Sequence, residues 1–230
     1  MKVGAVFLDC GGVLQLPDPA RVHDAYRASG VTADGVDLDR VHYEAITAVD
    51  ALALESPDRA IWATFVGAYV SVTDAPPDRT HALRRNLASA FADSWMWSRT
   101  IPGSIDALRR LGATKLPVAI VSNSDGGLED RLRQEGICQV GRGPGVEVTA
   151  IVDSGVVGVG KPDPQIFAIA LERVGVAAGD VVHVGDSIRA DIEGARRAGL
   201  RALHLDPYGL CVADHDHVRS VDDVAARVAG

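Results

Sequence analysis

The sequence is short of positive charge. Its 230 residues carry 23 Lys and Arg against 31 Asp and Glu, a formal net charge of −8. No basic stripe is present to neutralise phosphates, so nucleic acid is excluded as a default partner. The clusters "LRR" and "ARRAG" are brief and lie on helical patterns, which reads as solvated helix faces. Long apolar runs are also missing. No stretch approaches the roughly 18–20 residues that a membrane span needs, and no membrane partner is expected. Cysteine is scarce: Cys10, Cys138 and Cys211 are odd in number and scattered. They suggest neither a disulfide framework nor a metal-binding spacing. The opening "MKVGAVFLDCGG" lacks a small-residue cleavage pattern, so no signal peptide is expected and a reducing cytoplasm fits best.

What is present is ordinary globular material. The hydrophobic fraction of 47% and the length of 230 residues are enough for one large domain or two small ones. "VGAVFL" (3–8) reads as a buried strand. From about 17 to 95 the pattern is helical, with start signals at Asp18-Pro19 and Ser56-Pro57 and a terminal Gly30. After Trp97 helices and strands alternate, with strands over "LPVAIVSNS", "VEVTAIVDS", "DVVHVGDS" and "RALHLD". Such alternation predicts βαβ units and a parallel sheet. The loop "VGRGPG" (140–145) reads as a flexible connection.

Four segments carry candidate chemistry. "FLDCGGVL" ends the first strand at Asp9. "AIVSNS" ends another at Ser122 and Asn123. "GVGKPDPQIF" places Lys161 before a helix. "HVGDSIRADIEGARRAG" sets Asp186 at a strand end and Asp191 near the next helix start. In an open parallel sheet, strand ends of this kind surround the ligand site. Phosphoryl transfer from a monoester needs these groups: a carboxylate to attack phosphorus, a divalent cation to offset repulsion between two anions, and cations with N–H donors for the equatorial oxygens. Asp9 is the candidate nucleophile. Asp9 and Asp186 can share a Mg2+, and Asp191 can orient its water shell. Ser122 and the amide of Asn123 can hold the phosphoryl group, and Lys161 can neutralise it and steady Asp9.

This order of motifs resembles the haloacid dehalogenase superfamily of phosphohydrolases, nearly end to end. The resemblance implies an α/β fold: a Rossmann-like, doubly wound parallel sheet formed by residues 1–15 and 98–230. An all-helical cap domain (16–97) is inserted after the first motif. It also implies Mg2+ as cofactor, an aspartyl phosphate on Asp9, and a small phosphorylated metabolite, such as a sugar phosphate, as partner. The departure is Gly11, where family phosphatases usually carry an Asp that protonates the leaving oxygen and then activates water. In the family the backbone carbonyl of that residue is a metal ligand, and Gly11 retains it. Losing general acid–base help typically costs 10²- to 10⁴-fold in rate. Three readings stay open: a phosphatase with an easy leaving group or a surrogate acid from the cap, a phosphate-binding or regulatory protein, and a phosphotransferase or mutase. Dehalogenation fits less well, since "GDSIRAD" keeps the carboxylates that serve a metal. The oligomeric state, monomer or homodimer, is open.

Other residues invite sharper stories than they merit. Cys10, beside the nucleophile, reads as a small buried side chain with no sign of activation. His23, Tyr26, His42 and Tyr43 are candidate cap donors, but their amphipathic helices favour packing or solvent. Trp95 and Trp97 read as packing residues at the return to the core. "ADHDHVRS" (213–220) looks like a metal cluster but reads as a solvated loop.

Overall fold

A computed structural model describes residues 3–52, 56 and 58–229. The chain divides into two compact units. One comprises the residues up to Leu14 together with those from Thr100 onward, and the other is Gln15–Arg99.

The first unit is built on six parallel strands: β1 (Ala5–Leu8), β2 (Val118–Ser122), β3 (Ala150–Asp153), β4 (Val181–Gly185), β5 (Arg201–Leu205) and β6 (His217–Val218). Their order across the sheet is β6-β5-β4-β1-β2-β3. Every residue of β1, β2, β3 and β4 is buried. That explains their near-continuous Val/Ile/Ala composition, because a parallel sheet flanked by helices has no wet face. Phe7, Val121, Ile166, Phe167 and Ile192 share one apolar cluster of this unit. The α/β, Rossmann-like parallel sheet expected from the sequence is the one observed.

The sequence departs from the expected elements in instructive places. The stretch "VEVTAIVDS" is two strands, not one. Val146–Val148 pairs with a strand at Cys138–Val140, which sequence reading missed, while Ala150–Asp153 pairs with β2. The intervening "VGRGPG" loop is tied down rather than loose. The Gln139 side chain donates to the carbonyls of Gly141 and Gly145 and accepts from the Gly145 amide. The helix expected over "DIEGARRAG" begins earlier, as a π-helical turn at Ile188–Glu193 that runs into Gly194–Arg197. A last helix, Val221–Ala229, closes the described chain.

The second unit is helical: α1 (Pro19–Ala28), α2 (Leu38–Asp50), α3 (Asp58–Ser71) and α4 (Pro77–Ala92). Asp18 caps α1, its carboxylate accepting from the Ala20 amide at 2.8 Å, with Pro19 in the first turn. The Pro57 expected to open α3 lies outside the described residues. The interior packs Val22, Tyr26, Val41, Phe65, Leu87 and Phe91 together. Tyr26 is fully buried and donates its hydroxyl to the Tyr69 carbonyl at 2.9 Å. His42 is buried between Tyr43, Phe65 and Trp97. Packing therefore accounts for Tyr26, His42 and Trp97, while Trp95 is exposed. Among the described residues no helix is long and apolar enough to cross a membrane.

Candidate active site

The site lies at the C-terminal edge of three adjacent strands, where β1 is flanked by β2 on one side and β4 on the other. The chain leaves β1 and returns to the sheet on both sides of it. That is the topological switch point at which open α/β sheets bind ligands. Register puts Leu8 beside Ile120 and Val184, so Asp9, Ser122 and Asp186 all follow at the same edge.

Asp9 is buried. Its amide donates to the Val184 carbonyl, its Oδ1 accepts from the Cys10 amide at 2.7 Å, and its Oδ2 lies 2.8 Å from Lys161 Nζ. The same ammonium is 2.6 Å from Asp191 Oδ1, which also meets His183 Nε2 at 2.8 Å. Asp191 Oδ2 accepts from the Ser187 amide. A buried row, Asp9–Lys161–Asp191–His183, thus crosses beneath the strand ends. Asp191 is spent on holding Lys161 and His183, so it acts on the centre through Lys161.

Asn123 takes a place the sequence did not foretell. Its side-chain oxygen accepts from the Lys161 amide at 2.7 Å and its side-chain nitrogen donates to the Lys161 carbonyl at 2.9 Å. This two-point clasp fixes the backbone that carries the ammonium. Ser122 is buried at the end of β2. The loop that follows is held by Asp153, whose carboxylate accepts from the amides of Gly126, Leu128 and Gly155. Arg131 adds bonds to Asp125 and Ser124.

Two glycines make room for carboxylates. A Cβ at Gly12, whose φ is +69°, would lie 1.9 Å from Asp186 Oδ2. A Cβ at Gly185 would lie 2.0 Å from Asp191 Cγ. Asp186 therefore approaches the loop after Asp9 more closely than any side chain at position 12 would permit. Gly11 itself does not adopt a positive φ.

Burial and the Lys161 ammonium set the electrostatics of the site. Burial pushes the Asp9 carboxyl up to about 7, against the pull of Lys161 and helped by the charges of Asp191 and Asp186. Burial alone would lower the Lys161 ammonium, but Asp191 and Asp9 outweigh it and hold it above its ordinary range. Burial also favours protonation of Asp191, yet Lys161 and His183 prevail and hold it below the usual carboxylate range. Burial pushes His183 down, and its Nε2 donates to the Asp191 carboxylate. One oxygen from each of Asp9, Asp186 and Asp191 falls within 4.8 Å of the others. Lys161 stands between two of these carboxylates, Asp9 and Asp191. The donor set is entirely hard oxygen, which suits Mg2+.

Sequence reading named Asp9, Gly11, Ser122, Asn123, Lys161, Asp186 and Asp191, and all of them lie in this unit. It missed His183, Gly12 and Gly185. A histidine inside the apolar run "VVHVG" was the available signal for the first, because a buried polar side chain in such a strand needs a partner. Cys10 is buried, and burial together with the Asp9 charge pushes its thiol well up, as an inert packing residue requires.

The chain resembles known proteins in sequence and in fold. The chain is 35% identical over 122 residues to phosphoserine phosphatase of Thermus thermophilus, covering 53% of this chain and 47% of that protein. It spans about half the length of curated relatives of this kind. A HAD-hydrolase of Bacillus subtilis, solved bound to magnesium, superposes with a TM-score of 0.65 at 17% identity, covering 99% of each chain. A dehalogenase with an intermediate complex superposes with a TM-score of 0.62 at 21% identity, covering 100% of this chain and 98% of that one. These structural likenesses show the shared fold. The sequence model of the haloacid dehalogenase-like hydrolases matches residues 3–199, and the chain belongs to that family.

Proposed function

We propose that this chain is a Mg2+-dependent phosphatase acting on a small phosphorylated metabolite, such as a sugar phosphate. The observation that carries the proposal is the convergence of three buried carboxylates, Asp9, Asp186 and Asp191, with the Lys161 ammonium held between Asp9 and Asp191. The carboxylates of Asp9 and Asp186 and the carbonyl of Gly11 would hold the ion, with Asp191 behind them. Bound there, Mg2+ would screen the attacking carboxylate from a dianionic phosphate. The likeness to a phosphoserine phosphatase supports the same reading.

In this mechanism Asp9 attacks phosphorus, the P–O bond to the leaving group breaks, and an aspartyl phosphate forms. The Cys10 amide and Lys161 orient the carboxylate. The hydroxyl of Ser122, the amide of Asn123 and the Lys161 ammonium receive charge on the equatorial oxygens. Water then attacks phosphorus, releases phosphate and restores Asp9. Position 11 has no group to protonate the leaving oxygen or activate that water. Substrates whose leaving groups need little protonation are therefore favoured. On the family resemblance, substrate selection is assigned to the helical unit.

Gly11 also favours a second reading, in which turnover is weak and the protein binds phosphate as a regulator or passes it to an acceptor sugar. One experiment addresses both: a panel of phosphate esters with Mg2+, run on wild type, Asp9→Asn and Gly11→Asp. Turnover that depends on Asp9 is expected, with Gly11→Asp accelerating poor leaving groups most. No hydrolysis above the Asp9→Asn background on any ester sinks the phosphatase. Tight binding of phosphate or beryllofluoride without hydrolysis marks the regulator, and phosphorylated acceptor sugar marks the transferase.

A further inference from the structure

At the same edge of the sheet, beyond Asp186, lies a second group of ligating side chains. His204 is the penultimate residue of β5 and His217 opens β6, and the two are paired directly in the parallel register. The loop between them carries Cys211 and His215. One ligand atom from each of His204, Cys211, His215 and His217 falls within 4.8 Å of the others. His204 Nδ1 is 2.9 Å from His215 Nε2, and Cys211 Sγ is 3.7 Å from the same nitrogen. In the segment read from sequence as a solvated loop, Ala213, Asp214, Asp216 and Arg219 are exposed, while His215 and His217 are half-buried and converge with His204 and Cys211.

We propose that His204, Cys211, His215 and His217 form a tetrahedral site for a borderline-soft divalent cation of the Zn2+ class, separate from the carboxylate centre.

Four features argue for it. Three imidazoles and a thiolate are the donors that Zn2+ prefers and Mg2+ does not. With bonds of about 2.0–2.1 Å to nitrogen and 2.3 Å to sulfur, the edges of such a tetrahedron run to roughly 3.3–3.6 Å. The 2.9 and 3.7 Å separations fall on either side of that range, so small side-chain adjustments complete it. The ligands are held in place without the ion. Asp206 accepts from the amides of Leu210 and Cys211, and the Cys211 sulfur accepts from the Ala213 amide at 3.4 Å. His204 Nε2 donates to the Asp186 carbonyl at 2.9 Å, which turns its Nδ1 lone pair toward the cluster. Metal-bound histidines are typically oriented this way. Lastly, His217 Nε2 is buried with no hydrogen-bond partner. A cavity of about 400 Å³ lined in part by Asp206, Cys211, His217 and Arg219 gives an ion a way in.

Four protein ligands make the site closed, so its role is structural. It clamps the 206–217 loop to β5 and, through His204, braces the backbone of Asp186. The two metal sites are therefore joined by one hydrogen bond while their donor sets differ.

The test uses the full chain, stripped with a chelator and re-equilibrated with Zn2+ in the presence of excess Mg2+. One Zn2+ retained per chain after gel filtration is expected. The Co2+-loaded protein should show a thiolate-to-metal charge-transfer band in the near ultraviolet. Cys211→Ser should abolish that band, and His215→Ala, at a half-exposed position, should weaken Zn2+ binding. That loss should exceed the roughly 10–100-fold that an outer-shell partner is worth. Asp9→Asn should retain both the ion and the band. Failure to retain Zn2+, a band that survives in Cys211→Ser, or loss of the ion in Asp9→Asn overturns the proposal and leaves a hydrogen-bonded histidine cluster.

Discussion

Replacing Asp191 with Asn tests the buried charge row most directly, because it removes one charge and almost no volume. Lys161 Nζ lies 2.6 Å from Asp191 Oδ1, with the two side chains 1% and 0% exposed. At an effective dielectric of about 20, unit charges 2.6 Å apart attract by about 6 kcal/mol. Desolvation of both groups offsets much of that. Breaking a buried pair by removing one partner typically costs about 3–5 kcal/mol. Here Lys161 keeps Asp9 at 2.8 Å, so the lower end, about 3 kcal/mol, is expected. For a chain of this size that corresponds to a fall in melting temperature of about 6–12 °C.

The pH dependence has a definite sign. Asp191 is held below its ordinary value of 3.8 in the folded state. Its contribution is therefore fully present above that value and is lost as pH falls through the depressed folded value. The contribution of Asp191 itself is constant from about pH 5 to pH 8, but its charge also helps hold Asp9 up at about 7, so the gap between wild type and Asp191→Asn should narrow as Asp9 ionises between about pH 5 and pH 8, and narrow again in stronger acid. Urea denaturation at a series of pH values measures both quantities. A gap below about 1 kcal/mol at pH 7, the level of an exposed surface pair, would refute the reasoning, since Asp191 would then not be the anchor of the centre.

Other consequences are quicker to check. Asp9, raised to about 7 without a metal, must lose its proton to bind one, so Mg2+ affinity should rise about tenfold between pH 6 and pH 8. Calorimetric titration gives that slope, and a flat profile in wild type would show that Asp9 is not a ligand. Gly12→Ala places a methyl 1.9 Å from Asp186 Oδ2 at a φ of +69°. It should cost at least the ~1–2 kcal/mol of the left-handed backbone and weaken Mg2+ binding by pushing Asp186 away; unchanged Mg2+ affinity would contradict that geometry. In metal-stripped native protein a thiol reagent should label Cys211 first, because Cys10 and Cys138 are buried and their thiols are pushed up by that burial. Rapid labelling of Cys10 without denaturant would show that it is more than packing.

The sequence was legible where chemistry sits at strand ends. An apolar run that stops at an Asp next to glycine, as at Asp9 shortly before Gly11 and Gly12 and at Asp186 just after Gly185, marks strand, loop and ligand in one reading. It was less legible where a role depends on a partner far along the chain. His183 looks like one more residue of β4 until Asp191 is seen against it. The side chain of Asn123 serves Lys161, 38 residues away, and no local pattern shows that. His204, Cys211, His215 and His217 meet because β6 lies beside β5, and β6 is two residues long, too short to leave a periodic signal. For the same reason "VEVTAIVDS" read as one strand. The break falls at Thr149, whose amide bonds to Val118, and only pairing partners distinguish its two halves.

The absence of an acid at position 11 bears unequally on the two halves of the proposed reaction, and this makes the three readings of the chain distinguishable by a single kinetic trace. The first step can proceed without a proton donor when the leaving group is good. The second cannot escape in the same way, because hydrolysis of the Asp9 phosphate needs an activated water whatever the substrate was. General acid–base help is typically worth 10²–10⁴-fold, or about 2.7–5.5 kcal/mol of barrier. With a good leaving group that deficit falls wholly on dephosphorylation, so the phosphorylated enzyme should accumulate. Rapid mixing with an activated phosphate ester should show a burst of leaving group near one equivalent per chain, followed by a slow steady rate. The fate of the trapped phosphate then sorts the readings: slow release to water is the phosphatase, acceleration by an acceptor sugar is the transferase, and persistence is the regulator. A linear trace with no burst, together with rapid turnover, would mean that another side chain activates the water. In that case Gly11 marks a relocated acid rather than a missing one.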